Sequence, residues 1–357
     1  MDTNTLRILE IDGGGARGYL ALKFLISFID IWGINPNELW KYFNCICGTS
    51  VGGMIALGLA IGKSPQELLT FLETKAPLIF STNGTPSSKA GTLTKLYSIT
   101  VSGVPFYGTE TGTGYGSALL ASELQTMFGT KTMQEVLTNV VIPTYKVNMR
   151  ENTANIDDGV YTLCSNIRDI NFAAQDELIS NVALSTSAAP FYLPSINLEN
   201  TNQNVLNGRY IDGGIYQNNP SSFGINIAQI VKPTAKRTCI LSIGTGLGEM
   251  GFDDETPPDL LRSAEADPII GISNLFALFG VASTGGQEAV NKSLEIESKY
   301  SLNQLYHYRF QPDLDIEQDT ELDSTTSSVF QYYDTVNSTW VSNDMDNIAA
   351  FLGHLII

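Results

Sequence analysis

The run Cys47-Gly-Thr-Ser-Val-Gly-Gly53 sets one hydroxyl, Ser50, between Gly48 on one side and Gly52 and Gly53 on the other. It joins a strand-like run, FNCIC, to a helix-like apolar run that reaches Gly62. A serine on so sharp a strand-to-helix turn takes strained backbone angles, which only small neighbours tolerate. The dipole of the helix behind it favours developing negative charge. Gly-x-Ser-x-Gly in this setting suits nucleophilic attack on an acyl carbon. The plainer alternative is a tight packing turn.

Two more glycine-rich stretches bear on that choice. Asp12-Gly-Gly-Gly-Ala-Arg-Gly18 lies between a strand-like and a helix-like run. Bare backbone N–H groups there would face an anion near a helix N-terminus. Gly13, Gly15 and Gly18 fit the Gly-x-Gly-x-x-Gly fingerprint of dinucleotide sites, so a nucleotide-binding module or an oxidoreductase is one reading. The other candidate anion is the oxyanion of a tetrahedral intermediate. A dinucleotide site wants an acid roughly 20 residues further on, at the end of the second strand. Asp30 falls inside the first helix instead. The third stretch, Tyr210-Ile-Asp-Gly-Gly214, closes a strand with Asp212. Asp-Gly-Gly alone is an ordinary turn, but a nucleophilic serine needs a base. The only histidines, His307 and His354, lie outside the glycine-rich stretches. A carboxylate close to Ser50, made more basic by burial, would take the proton directly.

The elements that must hold these turns alternate along the chain. LRILEID (6–12) precedes a helical pattern over 19–33, and FNCICG (43–48) precedes the helix to Gly62. Ser64-Pro-Gln-Glu67 is a capped helix start. A helix over 117–129 and a strand over 140–148 follow, then a helix over 176–190 that ends at Pro190. Strands follow at GRYIDGG and TCILSIGTG. Beyond them come a helical run over 269–295, the strand LYHYRF, an acidic linker and a terminal helix over 344–356. This alternation predicts an α/β fold with a parallel sheet covered on both faces. Residues 81–117, rich in Gly, Ser and Thr, read as a long loop or insertion. No internal repeat or domain boundary is visible. The chain therefore reads as a single domain over 1–357, with a catalytic core at about 6–222 and an acidic C-terminal part, 249–357, packed on the same fold.

Formal net charge is −17 over 357 residues. That argues against nucleic acid and gives no polybasic attraction to anionic lipid. Up to residue 248 there are 18 acidic and 16 basic residues; from Glu249 onward there are 19 and 4. The acidic last third reads as a solubilising face. Cys45, Cys47, Cys164 and Cys239 sit in apolar contexts with no metal-ligand spacing, as expected of buried thiols in a reducing compartment. The start shows no basic segment followed by an apolar core, so no Sec-type leader is read. The expected location is cytoplasmic with transient membrane association, a reading compatible also with non-Sec delivery. The uncharged runs 44–62 and 268–287 are long enough to span a membrane but are broken by glycines and polar residues, and read as buried elements.

With the three turns in this order, the chain resembles the patatin-like phospholipases, lipid acyl hydrolases of the bacterial type. The resemblance rests on Asp12 to Gly18 with Arg17, on Gly48 to Gly53, and on Asp212-Gly213-Gly214. STSAAPFYLP (185–194), GIYQNNP (214–220), LSIGTG (241–246) and YRFQPDL (308–314) are similar too. The resemblance implies a three-layer α/β/α fold and a Ser–Asp dyad, with Ser50 the nucleophile and Asp212 the base. Gly13, Gly14 and Gly15 would donate to the oxyanion, and Arg17 would be structural or face a phosphate. The implied activity is hydrolysis of phospholipid or lysophospholipid acyl esters at a membrane or micelle surface, through an acyl-serine and without metal or nucleotide. A transacylase is the related alternative.

Overall fold

The computed structural model describes residues 4–81, 117–147, 160–167, 174–190, 192–198, 206, 208–248, 268–300, 304–315, 318 and 320–356. The side chains of 117, 160, 161 and 268–279 are outside that description. The suspected insertion at 81–117 therefore lies almost wholly outside the described residues.

Eight strands form one sheet: β1 (Thr5–Ile11), β2 (Cys45–Gly48), β3 (Asn139–Val147), β4 (Val160–Ser165), β5 (Ile196–Leu198), β6 (Gly208–Asp212), β7 (Arg237–Ile243) and β8 (Gln304–Phe310). Pairing runs β5-β6-β3-β2-β1-β7-β8, with β4 also on β3. The stretch from β3 to β8 is parallel throughout, while β4, β5 and β6 join antiparallel. The sheet is thus mixed but mostly parallel, with the antiparallel strands gathered on one side.

Parallel strands need both faces covered, and strand residues alternate between the two. On one face Leu9, Ile11, Ile46, Val140, Ile142, Leu241, Ile243 and Phe310 pack in the larger core cluster. The helices there are α1 (Gly18–Trp32), α2 (Val51–Ala60), α3 (Pro65–Ile79), α4 (Ser117–Phe128) and α5 (Ile179–Thr186). On the other face Leu6, Ile8, Cys45, Cys47, Val141, Ile240 and Leu305 meet α6 (Ser221–Val231) and α7 (Pro268–Tyr300) through Ile227, Ala228 and Leu294. The result is three layers. Two further helices, α8 (Ser327–Asn343) and α9 (Met345–Ile356), extend the first layer. Phe24 of α1 stacks on Phe310 of β8 with ring centroids 4.1 Å apart.

The structure corrects the sequence reading at several elements. A helix, α8, occupies most of the expected acidic linker. Val329, Phe330, Tyr333, Val336, Trp340 and Val341 recur along it at helical spacing and pack on the core, a periodicity interrupted by Gln, Asp, Asn, Ser and Thr that the linker reading passed over. Helix α5 stops at Thr186, short of Pro190. The carbonyl of Ala188 instead accepts the amide of Asp212 at the end of β6, which the helical path would not allow. Helix α6 and strands β4 and β5 have no counterpart in that reading. All four cysteines are free and buried, and burial pushes Cys45 up to about 12 and Cys239 up to about 11. Among the described residues, no single helix is long and apolar enough to cross a membrane.

Helix α3 starts as expected. Ser64 Oγ accepts from Glu67 N at 3.2 Å, and Glu67 Oε2 accepts from Ser64 N at 2.8 Å. Ser64→Ala removes half of this box and should destabilise the chain by about 1 kcal/mol. Chemical denaturation measures it; a loss under about 0.3 kcal/mol would mean that α3 is fixed by packing alone.

Candidate active site

The Ser50 turn is built by two adjacent parallel strands. Ile11 of β1 pairs with Gly48 of β2, so the loops leaving β1 and β2 emerge side by side. Ser50 is the only non-glycine residue with positive φ among the described residues, at φ 57° and ψ −127°. Such a conformation costs on the order of 1–3 kcal/mol and persists only where neighbours enforce it. Here the Ser50 amide donates to Thr186 Oγ1 at 3.0 Å, and Thr186 Oγ1 donates to the Pro143 carbonyl at 2.6 Å. Thr49 Oγ1 donates to the Gln217 carbonyl at 2.7 Å. The glycines are there for close approach. A Cβ on Gly48 would strike the Gly52 backbone, and one on Gly52 would strike the carbonyls of Ile11 and Asp12. One on Gly53 would press on Thr186.

Asp212 reaches the same point from the opposite direction. β3 pairs through 139–141 with β2 and through 144–147 with β6, while β4 takes the other edge over 141–146. The parallel β2 and the antiparallel β6 therefore share one edge of β3 and meet end to end. β2 runs into Ser50 and β6 ends at Asp212. The Ser50 hydroxyl lies near enough to the Asp212 carboxylate to affect its ionisation, and that carboxylate accepts the Gly214 amide at 2.7 Å. Asp212 is 2% exposed. Burial raises its carboxyl from 3.8 to about 7, against the lowering effect of the Ser50 hydroxyl and the Gly214 amide. Gly213 has no room for a side chain against the Pro143 backbone.

The glycine loop after β1 lies next to both. The Gly13 amide donates to the Asn218 carbonyl at 3.4 Å. The amides of Gly14 and Gly15 find no hydrogen-bond partner among the described residues. Gly15, at φ 56°, backs onto Leu322. Arg17, in the short 3-10 turn Gly15–Arg17, is buried and lines the cleft near Gly248. Gly18 packs against Val51 and brings α1 onto α2. Asp30, the acid a dinucleotide site would need, is exposed on α1.

Behind the loop is a buried polar layer that the sequence reading missed. Arg309 of β8 and Gln287 of α7 both hydrogen bond Asp12 Oδ2. Arg309 also lies 3.6 Å from Glu10 Oε2, and Ser242 and Asn219 hydrogen bond the same oxygen. Burial first, and Asp12 second, hold Glu10 well above the usual carboxylate range. His307, on the Arg309 face of β8, is pushed down to about 4 by burial and by Arg309. His354 stacks on Tyr306 with centroids 3.8 Å apart. Neither histidine lines the cleft.

Ser50, Asp212 and Gly13 to Arg17 open onto a single cleft walled by Met54, Phe71, Leu72, Ile79, Leu120 and Tyr192. α7 contributes Ser283, Thr284 and Gln287 to its rim. The cleft suits an apolar chain delivered to a hydroxyl, with exposed amides beside it. No group of three or more His, Cys, Asp or Glu residues suited to a metal ion occurs among the described residues.

Residues 9–222 match the sequence profile of the family described as patatin-like phospholipase. A patatin-like protein 2 of Arabidopsis thaliana is 32% identical over 234 residues, covering 62% of this chain and 52% of that protein. A cGAMP-activated phospholipase of Vibrio cholerae is 31% identical over 230 residues, covering 62% of this chain and 58% of that protein. The chain thus spans between half and three-fifths of the length of these curated relatives. Among solved structures, human GIVD cytosolic phospholipase A2 aligns over 99% of this chain and 61% of its own, at 10% identity and a TM-score of 0.44.

The Asp212 environment has a consequence for stability. The folded chain keeps a proton at Asp212 up to about pH 7, whereas the unfolded chain loses it near the ordinary aspartate value of 3.8. The stability this group contributes is complete below that lower value and is lost as pH rises through about 7. Asp212→Asn is neutral throughout, so its melting temperature relative to wild type should rise from about pH 5 to about pH 7 and level off above it. A difference that stays flat over this range would show that the carboxyl titrates normally.

Proposed function

The chain belongs to the patatin-like phospholipase family, and on that premise we propose that it hydrolyses acyl esters of phospholipids or lysophospholipids through Ser50 and Asp212. Ionised Asp212 takes the Ser50 proton as Oγ bonds to the ester carbon. The carbonyl oxygen becomes an oxyanion beside the Gly13–Gly15 loop, where the open amides of Gly14 and Gly15 are the donors. Collapse of this intermediate breaks the ester bond. The leaving alcohol takes the proton back from Asp212, and the fatty acyl group stays on Ser50. Water then attacks the acyl-serine and gives its proton to Asp212, which passes it to Ser50 Oγ as the acyl–oxygen bond breaks and the fatty acid departs. The lipid is met peripherally at a membrane or micelle surface, with its acyl chain in the apolar cleft.

One observation carries this reading. The Ser50 hydroxyl, held at a strained turn in an apolar cleft, shares that cleft with the buried Asp212 carboxylate, whose basicity burial has raised to about 7. An ordinary aspartate would be a weak base toward a serine hydroxyl. Raising its pKa toward the operating pH improves proton transfer while leaving it part ionised. Neither histidine is placed to do this, since His307 faces α7 and His354 stacks on Tyr306.

A fluorophosphonate probe should label Ser50 in wild type and not in Ser50→Ala, whose esterase activity should fall about 10³-fold or more. Asp212→Asn should be as inactive while remaining folded. His307→Ala and His354→Ala should stay within about tenfold of wild type, a barrier change of about 1.4 kcal/mol at most. Since the carboxylate works ionised, kcat/KM should climb as pH rises through about 7 and level off above it. A histidine variant that is folded yet as inactive as Ser50→Ala would replace the dyad with a triad.

A further inference from the structure

The carbonyl of Gly13 is gripped from two sides. Asn218 Nδ2 donates to it at 3.3 Å and Thr245 Oγ1 at 2.9 Å, and both residues are buried. The Gly13 amide donates to the Asn218 carbonyl, so Asn218 holds both ends of this residue. The remaining Asn218 Nδ2 hydrogen goes to Gln287 Oε1 at 3.0 Å, and Gln287 in turn hydrogen bonds Asp12. The orientation of the Asn218 amide is thereby fixed from α7. Thr245 lies on the back of Gly14, where its side chain fills the space a Gly14 Cβ would need.

The consequence lies in the next amide. A trans peptide is planar, so the Gly13 C=O and the Gly14 N–H point in opposite directions. Donors that draw the carbonyl to one side turn the N–H to the other. With glycine on both sides of the bond, no Cβ resists rotation of the whole peptide plane. A flipped plane would present a carbonyl oxygen where the reaction needs a donor. The Gly14 amide has no partner among the described residues, and Gly14 borders the cleft with Ser50.

We propose that Asn218 and Thr245 are positioning residues of the oxyanion site, which lock the Gly13–Gly14 peptide plane with the Gly14 N–H turned to the cleft. This rests on the hydrolase reading given above and adds two residues to it. They come from different parts of the chain: Asn218 from the segment after Asp212, and Thr245 from the end of β7, beyond the family-matched residues 9–222. Neither touches the ester. They act through a peptide bond, and their effect belongs to the transition state rather than to substrate binding.

The test is a set of kinetic constants with a soluble p-nitrophenyl acyl ester, beside melting temperatures. Thr245→Val keeps the shape and removes the hydroxyl. Its kcat should fall between about tenfold and 10²-fold, short of the 10²–10³-fold cost of deleting a donor outright, with KM within about twofold. Thr245→Ser restores the hydroxyl and should restore kcat to within about threefold of wild type. Asn218→Ala should reproduce the loss in kcat, and carries the test if Thr245→Val melts well below wild type. A folded Thr245→Val or Asn218→Ala with wild-type kcat overturns the proposal, as does a Thr245→Ser that loses as much as Thr245→Val. Ser50→Ala separates the two layers. If it is inactive while Thr245→Val is unaffected, only the positioning role falls; if it retains activity, the hydrolase reading falls and takes the positioning role with it.

Discussion

Two strands share one edge of β3, and the site depends on that meeting. A parallel strand arriving from one end and an antiparallel strand arriving from the other cannot overlap, so β2 and β6 stop where they face each other. Each stops in a turn with almost no room for side chains, and each turn presents one functional group. The juxtaposition of Ser50 and Asp212 is therefore fixed by sheet register, the most strongly specified feature of a buried sheet. The segment from Asp212 to Asn219 then ties in the remaining parts. Gln217 holds the nucleophile turn through Thr49, Asn218 holds Gly13, and Asn219 reaches Glu10.

Burial gives this arrangement its chemistry and its cost. A carboxylate out of water is a better base, and the same desolvation weakens the folded state wherever the group must ionise. The polar layer behind the glycine loop is a second buried charge problem. Glu10 and Asp12 both face the guanidinium of Arg309, and burial first, with the charge of Asp12 second, holds Glu10 toward its protonated form. Arg309 and Gln287 both come from beyond residue 222. The last third of the chain, acidic and outside the matched residues, thus supplies the cation and the amide that steady Asp12 at the root of the loop.

The legible parts of the sequence were those where local chemistry and local geometry coincide. β1, β2, β3, β7 and β8 read as strands because a strand buried on both faces is a short apolar run. Helix α3 read as a helix from its cap. Ser50, Asp212 and the glycines read as a set because close backbone approach forbids larger residues, and that constraint leaves glycine in the sequence itself. The illegible parts were those whose meaning lies in a distant partner. Helix α8 is held by Val329, Tyr333, Val336 and Trp340 on the core and by stacking of Phe330 on Tyr19, and its aromatic and polar residues alternate too closely for the apolar face to stand out before its partners are known. Helix α5 ends early because Ala188 is needed by β6, which arrives more than twenty residues later. Asn218, Thr245 and Arg309 stand in stretches that looked family-like and Gln287 ends the uncharged run 268–287, but no spacing relates them, since they converge from four parts of the fold.

The sequence by itself determined which side chains can do chemistry and which turns must be bare. These follow from residue type and from sterics within a few positions. It also determined the layered α/β plan, because alternating strand and helix patterns leave few other ways to bury parallel strands. Only the tertiary structure decided that Ser50 and Asp212 meet, 162 positions apart in the chain. It likewise decided that Asp212 is desolvated and that the histidines lie outside the cleft. The direction of the Gly14 amide was decided there too, since it is set by hydrogen bonds to Asn218 and Thr245, more than two hundred residues away. A carboxylate's pKa and a peptide plane's orientation depend on what surrounds them in space, and a linear sequence carries that information only through the whole fold.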